Sequence, residues 1–227
     1  LNCPAYKIAS FEAVDHQLIE YAAKTKKPLI ISTGMANNQE ISEAISVAKG
    51  AGAKEIAILH CVSGYPAPPE DYNLNTIRDM LDKYSLVTGL SDHTIENFTA
   101  FGSIAIGASI IEKHFTLSRD NGGPDDSFSL EPKDLKNLVD GSNIIWKSLG
   151  SVDYGLKSSE RGNAQFRRSI YFVKDLKQGH LISDNDIRSV RPGYGLEPKY
   201  FKSLLGKKLI KSALKNTPVK KEYFEDI

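Results

Sequence analysis

The sequence has little cysteine, no long apolar run and almost no excess charge. Its two cysteines, Cys3 and Cys61, have no metal-binding or redox spacing, which excludes a disulfide scaffold and favours a reducing cytoplasm. The longest apolar stretch, residues 100–111, is interrupted by glycine and serine and is shorter than the roughly 18 residues of a membrane helix. The chain starts without signal peptide or methionine and enters a predicted strand at once, so we expect an incomplete cytoplasmic chain with no membrane partner.

Charge is balanced overall but not along the chain. The net charge of +1 gives no reason to expect a nucleic-acid partner. Residues 1–156 carry 13 basic and 20 acidic residues, net −7, whereas residues 157–227 carry 16 and 8, net +8. This step predicts two modules of opposite sign that attract each other or a neighbouring copy. A basic tail that binds nucleic acid is the alternative, but the basic residues alternate with apolar ones.

Five β-rich runs recur at spacings of about 22–30 residues, the length of a strand–helix unit. The helical patterns between them have N-caps at Asp15 and at Asn37 or Asn38, and the last helix, residues 130–149, ends before Gly150. The pattern therefore predicts parallel strands joined by helices. The predicted strands are residues 6–10, 28–32, 55–61, 85–90 and 109–113.

Two architectures contain such units, a doubly wound sheet and a (β/α)8 barrel of about 250 residues. The sequence has no GxGxxG or Walker loop. Polar residues instead follow every predicted strand, where a barrel builds its active site. We predict that residues 1–150 form about five βα units, the C-terminal part of a TIM barrel without its first three units.

The polar residues after the strands predict a metal and phosphate site. His93 and His114 follow neighbouring strands, so both imidazoles are expected to reach one divalent cation; a pair of hydrogen-bonded core histidines is the alternative. A lysine beside hydroxyl groups and helix starts is typical of a phosphate site without a P-loop. These residues are Lys7, Ser10, Ser32, Thr33 and Ser91.

Three further residues are candidates for orienting a hydroxylated or amide-bearing partner. They are Glu12, Tyr65 and Asp125. Asp125 lies in the Gly-rich segment DNGGPDDSFS, where turn formation is the alternative role. The other histidines lack comparable neighbours, and we interpret them as structural or surface residues: His16, His60 and His180.

The chain after Gly150 predicts a linker, residues 151–166, and a small, mostly β domain, residues 167–227. Within that domain, residues 176–187 resemble residues 213–227 in the spacing of turn and apolar positions, which predicts pseudo-twofold symmetry. Arg191 precedes Pro192 in a rigid loop suited to presenting its guanidinium to a carboxylate or a polar sugar group. Pairing with an acidic residue of the first module is the alternative.

Taken together, these segments resemble the sialic acid synthase family. KIASFE, STGM, LHCVSGYPAP, GLSDHT, IIEKHFTL, GPD and SLEP look like the C-terminal half of its barrel, in the same order. RRSIYFVKDLKQG and VRPGYG resemble its SAF domain, an antifreeze-protein-like β-clip fold. Within the family, KIASFE, GGPDDSFSLEP and IRSVRPGYGLEPKY are most similar to pseudaminic acid synthases, whereas N-acetylneuraminate synthases more often carry a second glycine in the first motif and GPD-H in the loop.

The resemblance implies an enzyme that condenses phosphoenolpyruvate with 2,4-diacetamido-2,4,6-trideoxy-L-altropyranose and water, giving pseudaminate and phosphate. N-acetylneuraminate or another nonulosonate, made from N-acetylmannosamine in the first case, is the alternative product. His93 and His114 are implied as ligands of Mn2+ or Mg2+. Phosphoenolpyruvate contacts are implied for Lys7, Ser10, Ser32, Ser63 and Ser91. The N-acetylated amino sugar is implied to contact Glu12, Tyr65 and Asp125, with Arg191 supplied by the SAF domain of the other subunit in a domain-swapped homodimer.

Early barrel strands of the family supply a general-base glutamate and another phosphate-binding lysine, and neither is present here. We therefore expect this chain alone to turn over little or nothing. A noncatalytic remnant that only binds ligand or dimerises is a competing hypothesis. Aldolase-like Schiff-base chemistry at Lys7 or Lys113 is another.

Overall fold

The first of two units is built on five parallel strands. The computed structural model describes residues 2–226, and the chain divides into units between Ser151 and Val152. Each strand pairs with the next one along the chain, with no reversal of order. This is the winding of a barrel and not of a doubly wound sheet, so the predicted barrel fragment is confirmed. The strands are β1 (Tyr6–Ile8), β2 (Leu29–Ser32), β3 (Ile56–Cys61), β4 (Val87–Asp92) and β5 (Ile111–Lys113).

Five helices alternate with these strands. Asp15 caps the first helix by accepting from the Leu18 N–H, and Asn37, not Asn38, caps the second in a capping box with Glu40. No helix within residues 2–226 is long and apolar enough to cross a bilayer. The helices are α1 (His16–Lys24), α2 (Asn38–Gly50), α3 (Asn75–Tyr84), α4 (Phe98–Ala105) and α5 (Pro132–Leu149).

The fourth strand begins and ends two residues later than the sequence predicted. The helix before it, α3, was not among the expected helices, and Ser85 ends that helix in a left-handed conformation with φ 52°. Ser85 is therefore helix cap and not strand. The consequence for the site is that β4 runs through Asp92, which brings His93 directly to the strand end.

One face of the sheet carries the helices and the hydrophobic core. Ile8, Ile31 and Ile58 are paired in the strand register and pack among buried residues of the first two helices. A second cluster joins Leu90 to the apolar face of the last helix at Leu138. The helices thus cover one face of the sheet, and the polar side chains at the strand ends lie on the other.

A contact between the outermost strands shows how strongly the sheet curves. The Lys7 ammonium on β1 donates to Glu112 Oε1 on β5 at 2.8 Å. Four strand spacings would separate these strands by about 19 Å in a flat sheet, too far for the two side chains to meet. The sheet therefore curls around its polar face as a partial barrel.

The second unit contains a small antiparallel sheet. Its elements are β6 (Ser169–Phe172), β7 (Ile187–Val190) and α6 (Phe201–Leu204). Leu176 and Ala213 exchange two backbone hydrogen bonds of 2.8 Å each. Gly179 and Asn216 are separated by the same number of residues as Leu176 and Ala213. Gly179 and Asn216 both have positive φ. The two segments thus share a left-handed turn residue at equivalent positions, and the pseudo-twofold symmetry stays a prediction.

Asp186 is the buried hydrogen-bond centre of this unit. Its Oδ2 accepts from the Ser183 N–H at 2.8 Å, the Ser183 hydroxyl at 2.6 Å and His180 Nε2 at 2.9 Å. Burial alone would raise the pKa of Asp186, but the hydrogen bonds of Ser183, His180 and Lys174 outweigh it and hold the pKa well below the ordinary value. Asp186 is therefore held ionised between the turn and β7.

We expect Asp186→Asn to lower the free energy of unfolding of the second unit by about 1–3 kcal/mol, since buried donors lose a charged acceptor. Because the folded pKa is depressed, the contribution is present above the ordinary aspartate pKa of about 3.9 and is lost as pH falls below it. Scanning calorimetry at pH 7 and pH 3 measures both effects. Exposed Asp184, changed to Asn, is the matched control; an equal fall for both variants contradicts the assignment.

Candidate functional site

The carboxyl ends of the five strands place their polar side chains on the concave face. Side chains alternate along a strand. The residues on either side of a core-facing residue therefore face the concave side. Ser91 on β4 donates to Glu112 Oε1 at 2.8 Å, beside the lysine of β1. The side chains of this face include Lys7, Ser32, Cys61, Ser91, His93, Glu112 and His114.

His93 and His114 come together at the mouth of this face. Their ring centroids are 5.3 Å apart, with the planes inclined by 63°. Tyr65 lies against His93 at 4.3 Å between centroids, and Phe128 lies against His114 at 5.1 Å. The two imidazoles therefore form an adjacent pair with an aromatic wall on one side.

Each imidazole of the pair uses its Nδ1 atom inside the protein. His93 Nδ1 lies 2.7 Å from the Val62 carbonyl, which only accepts, so this nitrogen carries the proton. His114 Nδ1 lies 3.5 Å from the Asp125 carboxylate. In the neutral ring of His93 the lone pair therefore lies on Nε2, the arrangement of a metal-binding histidine that donates through its other ring nitrogen.

The two histidines have opposite pKa shifts. For His93, burial lowers the pKa, but Cys61 and the Val62 carbonyl outweigh burial and raise it above the ordinary value. For His114, burial and then the charge of His93 lower the pKa. The pair consequently avoids carrying two positive charges.

A divalent ion fits this pair. Two imidazoles bound to one ion through bonds of about 2.1 Å have ring centres about 4.5–5.5 Å apart, and the observed spacing of His93 and His114 lies in that range. Within residues 2–226, no cluster of three or more His, Cys, Asp or Glu side chains is placed to hold a metal. His93 and His114 are therefore a two-residue candidate set for a divalent ion.

A cradle of serines lies deeper on the same face. The Gly34 N–H donates to Ser10 Oγ at 3.2 Å, and a side chain at Gly34 would collide with the hydroxyls of Ser10 and Ser63. The hydroxyls of Ser32 and Ser63 are buried and have no hydrogen-bond partner in the described chain. Buried donors without partners are costly in a folded protein unless a ligand completes them.

Tyr65 lies against both histidines, and its ring centroid is 5.8 Å from that of His114. Burial and then the nearby Cys61, Asp125, Glu112 and Glu12 side chains raise the pKa of Tyr65. In the loop before α5, Asp126 accepts from the Gly123 N–H at 2.7 Å. Asp126 is therefore occupied with the turn, and its neighbour reaches His114.

Two residues of this face were not identified as site residues from the sequence. Glu112 joins Lys7 to Ser91, and the alternation in IEKH, which places it on the same face as His114, was the available signal. Cys61 is buried next to His93: burial raises the pKa of its thiol, but hydrogen bonds with His93, Ser10 and Ser91 outweigh burial and lower it. A single cysteine after an apolar strand gives no sequence signal for this role.

Arg191 belongs to the second unit, where it follows β7 and is exposed. His60 is bonded to the Tyr72 carbonyl and His180 to Asp186, while His16 is a surface residue. These three histidines have the structural and surface roles expected for them.

Lys113 points away from the concave face. Its ammonium is buried and donates to Asp92 Oδ2 at 2.9 Å, the Thr94 carbonyl at 2.7 Å and the Glu96 carbonyl at 3.0 Å. A lysine held in this way has no free amine facing a substrate. The hypothesis of a Schiff base at Lys113 is therefore wrong.

Known proteins were compared with the chain. The NeuB family profile matches residues 1–154 and the SAF domain profile matches residues 167–225. The pseudaminic acid synthase of Helicobacter pylori is 38% identical over 226 residues, covering 99% of this chain and 66% of that protein. The N,N'-diacetyllegionaminic acid synthase of Campylobacter jejuni is also 38% identical, covering 91% of this chain and 63% of that protein.

Solved structures agree with the fold. The crystal structure of an N-acetylneuraminic acid synthetase from Leptospira borgpetersenii is 36% identical, with a TM-score of 0.67 over 71% of this chain and 56% of that one. The chain thus spans less than two thirds of the length of the relatives described above. With both profiles matched in order and the fold shared, the chain belongs to the NeuB family, the sialic acid synthases, and carries a SAF domain after its barrel segment.

Proposed function

We propose that this chain forms the substrate- and metal-binding part of a phosphoenolpyruvate-dependent nonulosonic acid synthase that makes pseudaminate. The observation that carries the proposal is the adjacent pair His93 and His114, together with the buried hydroxyls of Ser32 and Ser63, which lack hydrogen-bond partners in the described chain. The names of the similar proteins supply the reaction class. Phosphoenolpyruvate, the acceptor sugar and water give the nine-carbon acid and phosphate.

Different residues of the site bind the two substrates. His93 and His114 would hold Mn2+ or Mg2+, which supplies Lewis-acid polarisation of the acceptor aldehyde. Lys7 and the hydroxyls of Ser10, Ser32, Ser63 and Ser91 bind the phosphate and carboxylate of phosphoenolpyruvate, because charged and hydroxyl donors match anionic oxygens. Donors fixed before the substrate arrives cost no reorganisation during reaction.

The other end of the site binds the sugar. Glu12 and Asp125 accept from its hydroxyl and amide N–H groups, and Tyr65 packs against it, since an aromatic ring with a polar tip suits a sugar face. C3 of phosphoenolpyruvate then forms a bond to the aldehyde carbon, water adds at C2, and phosphate leaves. The aromatic wall of Tyr65 and Phe128 keeps bulk water from this side.

The acceptor is 2,4-diacetamido-2,4,6-trideoxy-L-altropyranose in this proposal. The motifs KIASFE and GGPDDSFSLEP support it, but the pseudaminic and legionaminic acid synthases compared are equally identical to the chain. This equal sequence identity is the observation that favours the alternative, a synthase of a different nonulosonate. N-acetylmannosamine is the third acceptor to be compared.

The proposed assembly is a domain-swapped homodimer in the cytoplasm. The second unit of one copy would present Arg191 to the sugar in the other copy. Support comes from the opposite net charges of the two parts of the chain, −7 and +8, and from two free thiols, Cys3 and Cys61, which fit a reducing compartment.

The protein expressed from its complete gene should release phosphate from phosphoenolpyruvate only with an acetamido sugar, fastest with the altropyranose, and EDTA should abolish the release until Mn2+ is added. His93→Gln and His114→Gln should lower the rate by more than about a hundredfold, since even changes around metal ligands cost 10–100-fold. His16→Gln on the surface is the control. No release with any of the three acceptors rejects the synthase and leaves a noncatalytic binding module.

Gly34→Ala should weaken phosphoenolpyruvate binding at least tenfold, about 1.4 kcal/mol. The added methyl displaces the hydroxyls of Ser63 and Ser10 from the cradle. Titration calorimetry measures the affinity. The matched control is Gly50→Ala, where an added methyl meets no atom within 4 Å; parental affinity in Gly34→Ala would remove the cradle from the phosphate site.

A further inference from the structure

A buried ion pair precedes the two histidines in the chain. Asp92 on β4 and Lys113 on β5 are directly opposite in the strand register, and His93 and His114 are the next residue on each strand. Because side chains alternate, the ion pair faces the helices while the histidines face the concave side. Any shift of one strand end against the other would move one histidine relative to its neighbour.

The ion pair is fully enclosed and hydrogen bonded. The side chain of Lys113 is 3% exposed and that of Asp92 is completely buried. Lys113 donates to the carboxylate and to the carbonyls of Thr94 and Glu96, and Asp92 Oδ1 accepts from the Thr94 N–H at 2.9 Å. These bonds also fix the turn that follows His93.

Tyr72 extends this cluster to the histidine itself. Its hydroxyl accepts from the His93 backbone N–H at 2.7 Å, one residue after Asp92 in the chain. Tyr72 is completely buried and lies in the loop between β3 and α3. The same loop holds the His93 carbonyl through the Ala67 N–H at 3.1 Å and the His93 ring through the Val62 carbonyl.

Stability alone does not account for this cluster. Two buried charges lose hydration, so a buried ion pair contributes little more than an apolar pair of the same size. The neighbouring core positions are filled by apolar residues such as Leu90 and Leu130. A charged pair with directional hydrogen bonds also fixes the register of the two strands that carry it, β4 and β5.

We propose that Tyr72, Asp92 and Lys113 are positioning residues that hold His93 at the distance and orientation from His114 at which both bind one divalent ion. This inference rests on the proposed function. None of the three touches the ion or the substrate; each acts through the backbone or the strand register.

Tyr72→Phe is the sharpest test, because it removes only the hydroxyl and keeps the buried ring. The Tyr72→Phe variant should bind Mn2+ 10–100-fold more weakly than the parent. The electron paramagnetic resonance signal of the free ion measures this affinity. The matched control is Tyr84→Phe, whose hydroxyl bonds to Asn38 in the helical layer. A loss of thermal stability in both variants with a loss of affinity in Tyr72→Phe alone supports positioning; parental affinity in Tyr72→Phe overturns it.

The ion pair needs two variants. Lys113→Met leaves Asp92 buried without a partner and is expected to unfold or strongly destabilise the chain. The double variant Asp92→Asn with Lys113→Met removes both charges, so it should recover the fold but keep the weakened Mn2+ affinity. A folded double variant with parental affinity contradicts a positioning role for the pair.

A measurement without metal distinguishes failure of the proposed metal site from failure of the positioning role. In protein labelled with 15N-histidine, the parent should show His93 protonated at Nδ1, and Tyr72→Phe should alter these ring resonances and speed exchange of the His93 amide. If the parent binds no Mn2+, the metal part of the proposed function fails, while the resonances still decide positioning. Unchanged His93 resonances and amide exchange in Tyr72→Phe overturn the inference.

Discussion

Asp92 on β4 lies opposite Lys113 on β5, and the arrangement of the carboxyl end of the sheet follows from that register. In parallel strands the next residues, His93 and His114, are then neighbours on the concave face. The ion pair lies on the helix side of the same two strands. One strand pairing therefore brings the two charges together on one face and places the two imidazole rings side by side on the other. A slip by one residue would exchange the two faces.

Curvature brings the remaining groups to the histidines. The meeting of Lys7 and Glu112 across the sheet shows that strands distant in order are close at the mouth of the partial barrel. Glu112 balances the lysine and orients Ser91. The serines of the first three strand ends point into the same space, and two of their hydroxyls keep no partner in the described chain. The site is therefore arranged before any ligand binds, which is what electrostatic preorganisation requires.

The second unit follows a different principle. Its two related halves exchange backbone hydrogen bonds around Leu176 and Ala213, and a cluster around Ile170, Phe172 and Val219 forms its own core. Asp186 then ties the turn of the first half to β7 through charged hydrogen bonds. A small β unit with few residues to bury gains much of its specificity from such satisfied polar groups.

Local sequence signals were enough to predict the βα repeat, the boundaries of most elements within about two residues and the strand-end positions of His93, His114 and the serines. Periodicity, caps and turn residues are local signals, and each is visible in a short window. Which side chains meet could be read only from the folded chain. Glu112, Cys61 and Tyr72 gained their roles from curvature and from a loop that crosses to the next strand end, and Lys113 proved to face the core. These contacts join residues far apart in the chain, and no local pattern encodes them, because they depend on how the strands are registered and bent against one another.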